Sequence, residues 1–275
     1  MVADTKSSVP KSTGLIADTE SWVPKSTGHR KTDPPPPTTE KDITCDRSHN
    51  SYDLCAIKGP TVLDPTTATF FVVYPTSSTP EKPMEERVRP YPRKHENFTM
   101  SRIREVTLVS GHPTPKCDVQ HHAPAIVFSA AGYTGNVWHD FNDGLIPLYV
   151  TINTIFPDQD VVLVISKARD WWVSKYRDLL HSFSKHPIIN LDNDTATHCF
   201  PSMAAGMISH GFMTIDPKLM PNSETFTHFR SFLDKAYGQN HEVPNENHNK
   251  PLVYNTPEPR RPIQFLRLVS HDLMR

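Results

Sequence analysis

Apolar and polar positions divide this chain into a short β-rich part and a longer part in which strands and helices alternate. Apolar runs predict strands at residues 68–74 and 103–109 in the first part. In the second part, strands are predicted at 160–166 and 187–191, and helices at 170–185 and 223–238. Because a strand–helix–strand crossover places parallel strands side by side, this order predicts an α/β fold with a Rossmann-like, three-layer lobe.

A buried strand, a glycine-containing turn and a helix are predicted within residues 123–152. The stretch begins with the apolar, β-favouring run AIVF, after which Gly132 and Gly135 permit a sharp turn. Either Thr134 or Asn136 can cap the following helix, because both side chains carry an oxygen that accepts a backbone N–H. Together the three elements form a crevice at the carboxyl end of a strand.

The predicted helix has an apolar stripe and an opposite polar side that carries ionisable groups. At 100° per residue, Asn136, His139 and Asp143 gather on the polar side. The stripe consists of Val137, Phe141, Leu145, Leu148 and Ile152. One interpretation is a solvated face with a weak ion pair between residues four apart. The other is a general base or a hydroxyl-orienting dyad placed above the turn.

Seven sequence blocks, taken in order, make the chain resemble plant members of glycosyltransferase family 61, which add pentoses to xylan. The blocks are ITCDRSHNSYDLC, VRPYPRK, CDVQHHAPAIVFSAAGY, GYTGNVWHDFNDGLIPLYVT, DWWVSKYRDLL, INLDNDTATHCFPS and FRSFLDKAY. The resemblance covers about residues 42–238. It implies an inverting, metal-independent enzyme of the two-lobed GT-B architecture, which uses a UDP-sugar donor and is anchored in the Golgi by one N-terminal transmembrane helix.

The resemblance directs attention to a small set of candidate site residues. Inversion by a single displacement needs a base within hydrogen-bond reach of the acceptor hydroxyl, and His139 or Asp143 is the candidate. The sequence leaves open which of the two acts. We expect Asn136 and Asp140 to orient the acceptor or the base. His210 resembles a position common in the family and is a candidate substrate contact.

Other polar motifs favour structural interpretations. The triplet Asp192-Asn193-Asp194 could chelate a divalent ion, but its central Asn193 is also a glycosylation acceptor, so a turn is favoured and no metal is expected. A structural role is expected for His121 and His122, which precede a buried strand. A solvated loop is favoured for the basic set Arg87, Arg89, Arg93 and Lys94, and packing roles for the aromatic set Trp171, Trp172 and Tyr176.

Composition agrees with a secreted domain and disfavours nucleic acid as a partner. The 275 residues carry a net charge of −1, with no strongly basic region. Asn97 and Asn193 each begin an N-x-S/T sequon. No apolar stretch of about 20 residues or signal peptide is visible, so no transmembrane segment is predicted in this chain, and Golgi localisation is expected from the resemblance alone.

Four cysteines allow two disulfides in three connectivities, or four buried thiols. Because Cys45 and Cys55 flank a short loop, we predict that they bond to each other, which leaves Cys117 for Cys199.

Three segments are predicted along the chain. Residues 1–41 contain a Ser/Thr/Pro-rich tandem repeat with a period of 14 residues and are expected to form a disordered stalk. Residues 42–238 are expected to form the acceptor-side, N-terminal lobe of the glycosyltransferase. Residues 239–275 are expected to be a linker and the truncated start of a second lobe, so the C-terminal lobe would be absent. A catalytically inactive fragment that binds xylan or a partner is the alternative function.

Overall fold

The computed structural model describes residues 42–74 and 82–238, which form a mixed α/β fold with two sheets. The predicted stalk at 1–41 and the predicted linker at 239–275 lie outside the described residues. The strands are β1 (Ile43–Asp46), β2 (Leu54–Ile57), β3 (Thr61–Asp64), β4 (Thr69–Val72), β5 (Met84–Val88), β6 (Val106–Ser110), β7 (Val119–Gln120), β8 (Ala125–Phe128), β9 (Val162–Ile165), β10 (Ile189–Asn190), β11 (His198–Phe200) and β12 (Met203–Ala205).

Helices connect the strands of the second half of the described chain. They are α1 (Asn97–Met100), α2 (Val137–His139), α3 (Ile146–Ile155), α4 (Asp170–Lys175), α5 (Arg177–Phe183) and α6 (Phe226–Gly238). A π-helical segment, Asp140–Leu145, joins α2 to α3 without a break in the backbone. No helix among the described residues is long and apolar enough to cross a membrane.

The first sheet has the strand order β1-β2-β12-β8-β9-β10. Strands β12, β8, β9 and β10 are parallel to one another, whereas β2 pairs antiparallel with both β12 and β1. Ile126 in β8 lies opposite Leu163 in β9 and Ala204 in β12. Because four neighbouring strands run in the same direction, the loops that follow them emerge at a single edge, where α/β proteins bind ligands.

The second sheet has the strand order β5-β6-β4-β3-β11-β7. It is mixed, because β4 pairs parallel with β6 and β11 pairs parallel with β7. Two predicted strands lie here with shifted bounds: the run at 68–74 forms β4, and the run at 103–109 forms β6, which begins three residues later. The early β-rich part of the sequence thus supplies most of a separate sheet.

The two faces of the first sheet bury their side chains against different layers. In β8, Ile126 and Phe128 pack against the helices, whereas Ala125 and Val127 face the second sheet. Period-two alternation within a fully apolar strand produces this division. The α/β class is therefore confirmed. The second sheet covers the other face of the first sheet. A Rossmann-like lobe would have another layer of helices in that place.

One predicted helix is observed as two shorter helices. The helix predicted at 170–185 is divided into α4 and α5 at Tyr176, whose φ of −105° and ψ of 17° are not helical. Trp172 and Tyr176 are fully buried, as expected of packing residues. The packing prediction is wrong for Trp171, whose side chain is 45% exposed. Neighbouring residues on a helix point in different directions, so only one of the two tryptophans can enter the core.

Two disulfides are present, Cys45–Cys55 and Cys117–Cys199, which is the pairing that the sequence spacing favoured. Cys45 and Cys55 are direct cross-strand partners in β1 and β2, with a Cα–Cα separation of 4.0 Å. The second disulfide joins the segment before β7 to β11 and spans 82 residues of sequence. It therefore constrains far more of the unfolded chain than the first, which spans 10.

Removal of the Cys117–Cys199 disulfide is expected to destabilise the protein more than removal of the Cys45–Cys55 disulfide. The chain-entropy relation gives a loss of about 4–5 kcal/mol for the long loop and about 3 kcal/mol for the short one. Urea unfolding of the two paired Cys→Ala variants measures the free energies of unfolding. Non-reducing peptide mapping checks the pairing in the wild-type chain. A larger loss for the Cys45→Ala/Cys55→Ala variant would contradict the loop-length argument.

Candidate functional site

The candidate site lies at the edge of the first sheet where β8 and β12 end. The turn that follows β8 leads into α2, and the loop that follows β12 folds back over the start of the π-helical segment. The loop is anchored there because the Met213 amide donates a 2.7 Å hydrogen bond to Oδ1 of Asn142. Two segments that are far apart in sequence therefore enclose the residues of the predicted helix face.

The predicted single helix is interrupted by the π-helical segment, and this interruption changes the direction of its polar side chains. Asp140 is 3% exposed and Asp143 is 1% exposed. A π-helical turn contains more residues than an α-helical turn, so the angular positions derived from 100° per residue no longer apply. The interpretation as a solvated face is therefore wrong for Asp143, whereas His139 remains partly exposed.

The buried Asp143 carboxylate accepts hydrogen bonds from four side chains. Arg93 places Nε and Nη2 each 2.9 Å from Oδ1, and Asn142 Nδ2 lies 2.5 Å from the same oxygen. Tyr91 donates its hydroxyl to Oδ2 at 3.1 Å, and His139 Nδ1 lies 2.7 Å from Oδ2. Five donor atoms thus converge on the two oxygens of this buried carboxylate, which acts only as an acceptor in these bonds.

Asp143 fixes the tautomer and the orientation of His139. Since an ionised carboxylate can only accept, the 2.7 Å contact requires His139 Nδ1 to carry the proton and donate it. Arg93 Nη2 lies 3.5 Å from the same nitrogen and is also a donor, so it adds no competing bond. Within the described residues His139 Nε2 has no hydrogen-bond partner, and this nitrogen is left as a lone-pair acceptor.

Arg93 contradicts the prediction of a solvated basic loop. Its side chain is buried and forms ion pairs with Asp143 and with Glu96. Burial lowers the pKa of Arg93, but the bonds from Asp143 and Glu96 outweigh this effect and raise it. Burial and the Asp143 charge also raise the pKa of Tyr91, so its hydroxyl stays a donor. Both residues belong to the block VRPYPRK.

Asp140 ties the glycine-containing turn to the helices behind it. Its Oδ1 accepts from the Gly135 amide at 3.0 Å and from Trp172 Nε1 at 3.1 Å. Its Oδ2 accepts from the Tyr176 hydroxyl at 2.8 Å and lies 3.3 Å from Lys175 Nζ. The expectation that Asp140 orients the acceptor directly is therefore not supported by its position, because the carboxylate is directed into the core.

Asn136 and His210, the two other candidate contacts, are engaged with the backbone. Asn136 is the N-cap of α2, where its side chain accepts the Trp138 amide at 3.0 Å. His210 Nδ1 accepts the Asp216 amide at 3.1 Å, and burial lowers the pKa of His210. No hydrogen bond joins His210 to His139 in the part of the chain that the structure describes.

Aromatic side chains surround the free edge of His139. The Tyr133 ring stacks on the imidazole with a centroid distance of 4.4 Å, and Trp138 meets it edge-on at 4.8 Å. Phe212, which is 66% exposed, lies 6.0 Å from Trp138 and comes from the loop after β12. Exposed aromatic rings around a polar group are typical of carbohydrate-binding surfaces, because sugar C–H faces stack on them.

The residues around the Asp192-Asn193-Asp194 triplet form ordinary polar contacts. Asp192 lies 3.5 Å from Arg104, and Asp194 lies 3.2 Å from His198. No group of three or more His, Cys, Asp or Glu side chains able to hold a metal occurs among the described residues. Asn97 and Asn193, the sequon acceptors, are both exposed.

His121 is part of a small histidine cluster away from the candidate site. Its Nε2 lies 2.9 Å from Nδ1 of His198, and its ring stacks on Phe200 at 4.8 Å. One nitrogen of the histidine pair must donate and the other accept, so the contact excludes protonation of both at these positions. Burial and the neighbouring His198 and His186 lower the pKa of His121 to about 4.

The sequence alone does not identify Tyr91, Arg93 and Asn142 as site residues. Tyr91 and Arg93 lie in a block that carries the family resemblance, and that block is the sequence signal that could have identified them. A composition-based interpretation assigned its cations to solvent, because the partner Asp143 lies 50 residues away from Arg93.

The sequence was also compared with those of known proteins. No family model matches the chain. The chain is 38% identical over 210 residues to the xylan glycosyltransferase MUCI21 of Arabidopsis thaliana, which covers 74% of this chain and 42% of that protein. It is 34% identical over 193 residues to the alpha-1,3-arabinosyltransferase XAT3 of Oryza sativa subsp. japonica, covering 70% and 33%. It is 30% identical over 253 residues to the beta-1,2-xylosyltransferase XYXT1 of the same plant, covering 84% and 54%.

These relatives are glycosyltransferases that act on xylan or carry pentosyltransferase names. At 30–38% identity, they are xylan arabinosyl- and xylosyltransferases of the plant family-61 type, and the resemblance predicted from the seven blocks is confirmed. The chain spans between about a third and a half of the length of the relatives described above.

Gly132→Ala is expected to destabilise the protein by roughly 2–3 kcal/mol. Gly132 has a φ of +65°, and an added Cβ would lie 2.7 Å from Cζ of Tyr91, so the substitution adds strain and displaces a donor to Asp143. Urea unfolding measures the loss. Gly144→Ala is the matched control: no heavy atom lies within 4 Å of its added Cβ, so its stability should stay within about 1 kcal/mol of wild type. Equal stability of both variants would contradict the role assigned to Gly132.

Acidification is expected to destabilise the fold between pH 6.5 and 4 through His121. The pKa of His121, about 4, lies below the ordinary value of 6.5. Between these two values the unfolded state binds a proton that the folded state does not bind, so the free energy of unfolding falls as the pH falls through this window. Urea unfolding at pH 7 and pH 5 should show a smaller loss for His121→Gln than for wild type. An NMR titration midpoint of His121 at or above 6.5 would refute this explanation.

Proposed function

We propose that the chain carries the acceptor-activating site of a pentosyltransferase that transfers a sugar from a UDP-sugar to xylan. The named activities of the relatives support this proposal. The single observation that carries it is the dyad of His139 and Asp143, in which Nδ1 is bound to a buried carboxylate while Nε2 has no partner among the described residues. This is the geometry that a general base requires.

In the proposed step, His139 Nε2 takes the proton of an acceptor hydroxyl while the hydroxyl oxygen attacks the anomeric carbon of the donor. The bond from that carbon to the diphosphate breaks at the same time, which inverts the configuration. Asp143 stabilises the imidazolium that forms, and Arg93 holds Asp143 in position through their ion pair. Between the two candidates we therefore propose His139 as the base and Asp143 as its positioning partner.

The exposed aromatic rings support a role in holding the acceptor. Tyr133, Trp138 and Phe212 lie around His139 and offer stacking surfaces to neighbouring sugar units. We propose that a xylan chain lies across these rings so that one hydroxyl reaches Nε2. Asn136 and Asp140 contribute indirectly, the first by capping α2 and the second by holding the turn.

Further aspects of the proposal follow the resemblance. Residues 42–238 would be the acceptor-side lobe of a GT-B enzyme, with the parallel strands β12, β8, β9 and β10 as its Rossmann-like portion. Golgi residence and glycosylation at Asn97 and Asn193 would follow from the same family membership. Transfer is proposed to be metal-independent, supported by Asp192 and Asp194 facing separate side chains, Arg104 and His198.

His139→Ala is expected to reduce turnover about 10² to 10⁴-fold with little change in the fold, because it removes the base while leaving the buried ion pair intact. The assay joins the 275-residue chain to the remaining part of XYXT1 and measures transfer from UDP-xylose or UDP-arabinofuranose to xylo-oligosaccharides, alongside the chain alone. Thermal unfolding of each variant checks folding. His181→Ala, an exposed histidine on α5, is the matched control and should retain full activity.

The Asp143→Asn variant tests the positioning partner of His139 in the same assay. It leaves Arg93 without a buried counter-charge, so both turnover and thermal stability should fall. Wild-type turnover in a folded His139→Ala variant would refute the assignment of the base. A folded chain that binds xylo-oligosaccharide but never transfers sugar, even when joined to the relative, would instead support the alternative of an inactive xylan-binding module.

A further inference from the structure

A basic cleft of about 380 Å³ opens where β8 and β9 end. Its walls are the cationic side chains of Arg102, Lys167 and Arg169 together with residues of the turn that follows β8. That turn includes Gly132, which lines the cleft, and the adjacent Tyr133, whose ring stacks on His139. The cleft and the candidate base therefore share one structural element.

The three cations of the cleft have no acidic partner among the described residues. Arg102 lies over the Phe98 ring at 4.1 Å, and no ion pair joins Lys167 or Arg169 to a carboxylate in that part of the chain. Arg177 and Arg230 on the helices likewise form no ion pair among the described residues, whereas five other arginines do. Ion pairs with carboxylates are formed by Arg47, Arg87, Arg89, Arg93 and Arg104. Three like charges around a concave surface produce a positive potential that attracts an anion.

The backbone of the cleft also suits an anion. Ala130, Ala131 and Gly132 have small side chains, so a ligand can approach the main chain closely. The Gly132 amide donates to no acceptor within the described residues and is available to an oxyanion. The cleft lies at the carboxyl ends of two adjacent parallel strands, where open α/β sheets place their ligands. Charge, shape and topology thus point to the same class of ligand.

We infer that Arg102, Lys167 and Arg169 form a subsite for an oxyanion group of a substrate that reaches the His139 dyad. The inference rests on the proposed function and adds to it the charge of the substrate group. Two sources supply the required chemistry: the diphosphate of a nucleotide-activated donor, and the carboxylate of an acidic sugar on the acceptor. Guanidinium groups bind either oxyanion through paired N–H donors.

Direct binding to the 275-residue chain tests the subsite without any transfer reaction. Isothermal titration with inorganic pyrophosphate, UDP and glucuronate should detect at least one of the three, with affinity that falls as salt concentration rises. Arg169→Gln and Lys167→Gln should each weaken that binding by about 10-fold or more, because each removes a charge-assisted contact. Arg230→Gln, an exposed arginine on α6, is the charge-matched control and should bind within about 2-fold of wild type.

The pattern of binding identifies the source of the oxyanion. Binding of pyrophosphate and UDP assigns the cleft to the donor diphosphate, whereas binding of glucuronate alone assigns it to an acidic sugar. Absence of binding for all three anions, or equal weakening in the Arg230→Gln control, overturns the inference. Anion binding that depends on Arg169, in a chain whose fusion to the relative never transfers sugar, upholds the subsite and refutes the proposed function.

Discussion

The buried ion pair between Arg93 and Asp143 is the interaction on which the candidate site depends. It joins the segment after β5 to the π-helical segment, across 50 residues of sequence. Loss of Arg93 would leave the Asp143 carboxylate without a counter-charge in the core, at a cost of about 3–5 kcal/mol. The pair therefore holds two otherwise separate segments in one geometry, and Tyr91 and Asn142 add their hydrogen bonds to the same carboxylate.

Two carboxylates three residues apart serve different purposes. Asp143 orients an imidazole that reaches the surface, whereas Asp140 fastens the turn after β8 to Trp172 and Tyr176. Both side chains enter the interior because the backbone between α2 and α3 is π-helical. The π-helical segment thus supports His139 through Asp143 and, through Asp140, fixes the turn that also lines the basic cleft. Such support is what holds a reactive group within a narrow range of positions.

The layering of the fold explains why polar chemistry collects at one edge. The helices cover one face of the first sheet and the second sheet covers the other, so β8 and β9 are apolar on both sides and leave no room for charged groups along their length. Ionisable residues are placed in the loops after these strands. The turn after β8 consequently connects the two sets of residues, because its Gly132 lines the cleft with Arg102, Lys167 and Arg169 and its Tyr133 stacks on His139.

Local features of this protein were determined by its sequence alone. The strand at 125–128, the turn around Gly132 and a helix cap at Thr134 or Asn136 follow from side-chain preferences that act over a few residues, and the structure selects Asn136 as the cap. The α/β class follows in the same way from the order of apolar runs. The resemblance to family 61 was also readable, because ordered blocks keep their residue types even when their contacts are unknown.

Only the tertiary structure decided the rest. A wheel drawn at 100° per residue assumes an α-helix, so it could not show that Asp140 and Asp143 enter the core through a π-helical segment. Arg93 resembled a solvated cation because its counter-charge is distant in sequence. The choice of Trp172 over Trp171 as the buried ring, and of a sheet over helices as the third layer, likewise depended on which surfaces meet, and long-range packing decides that.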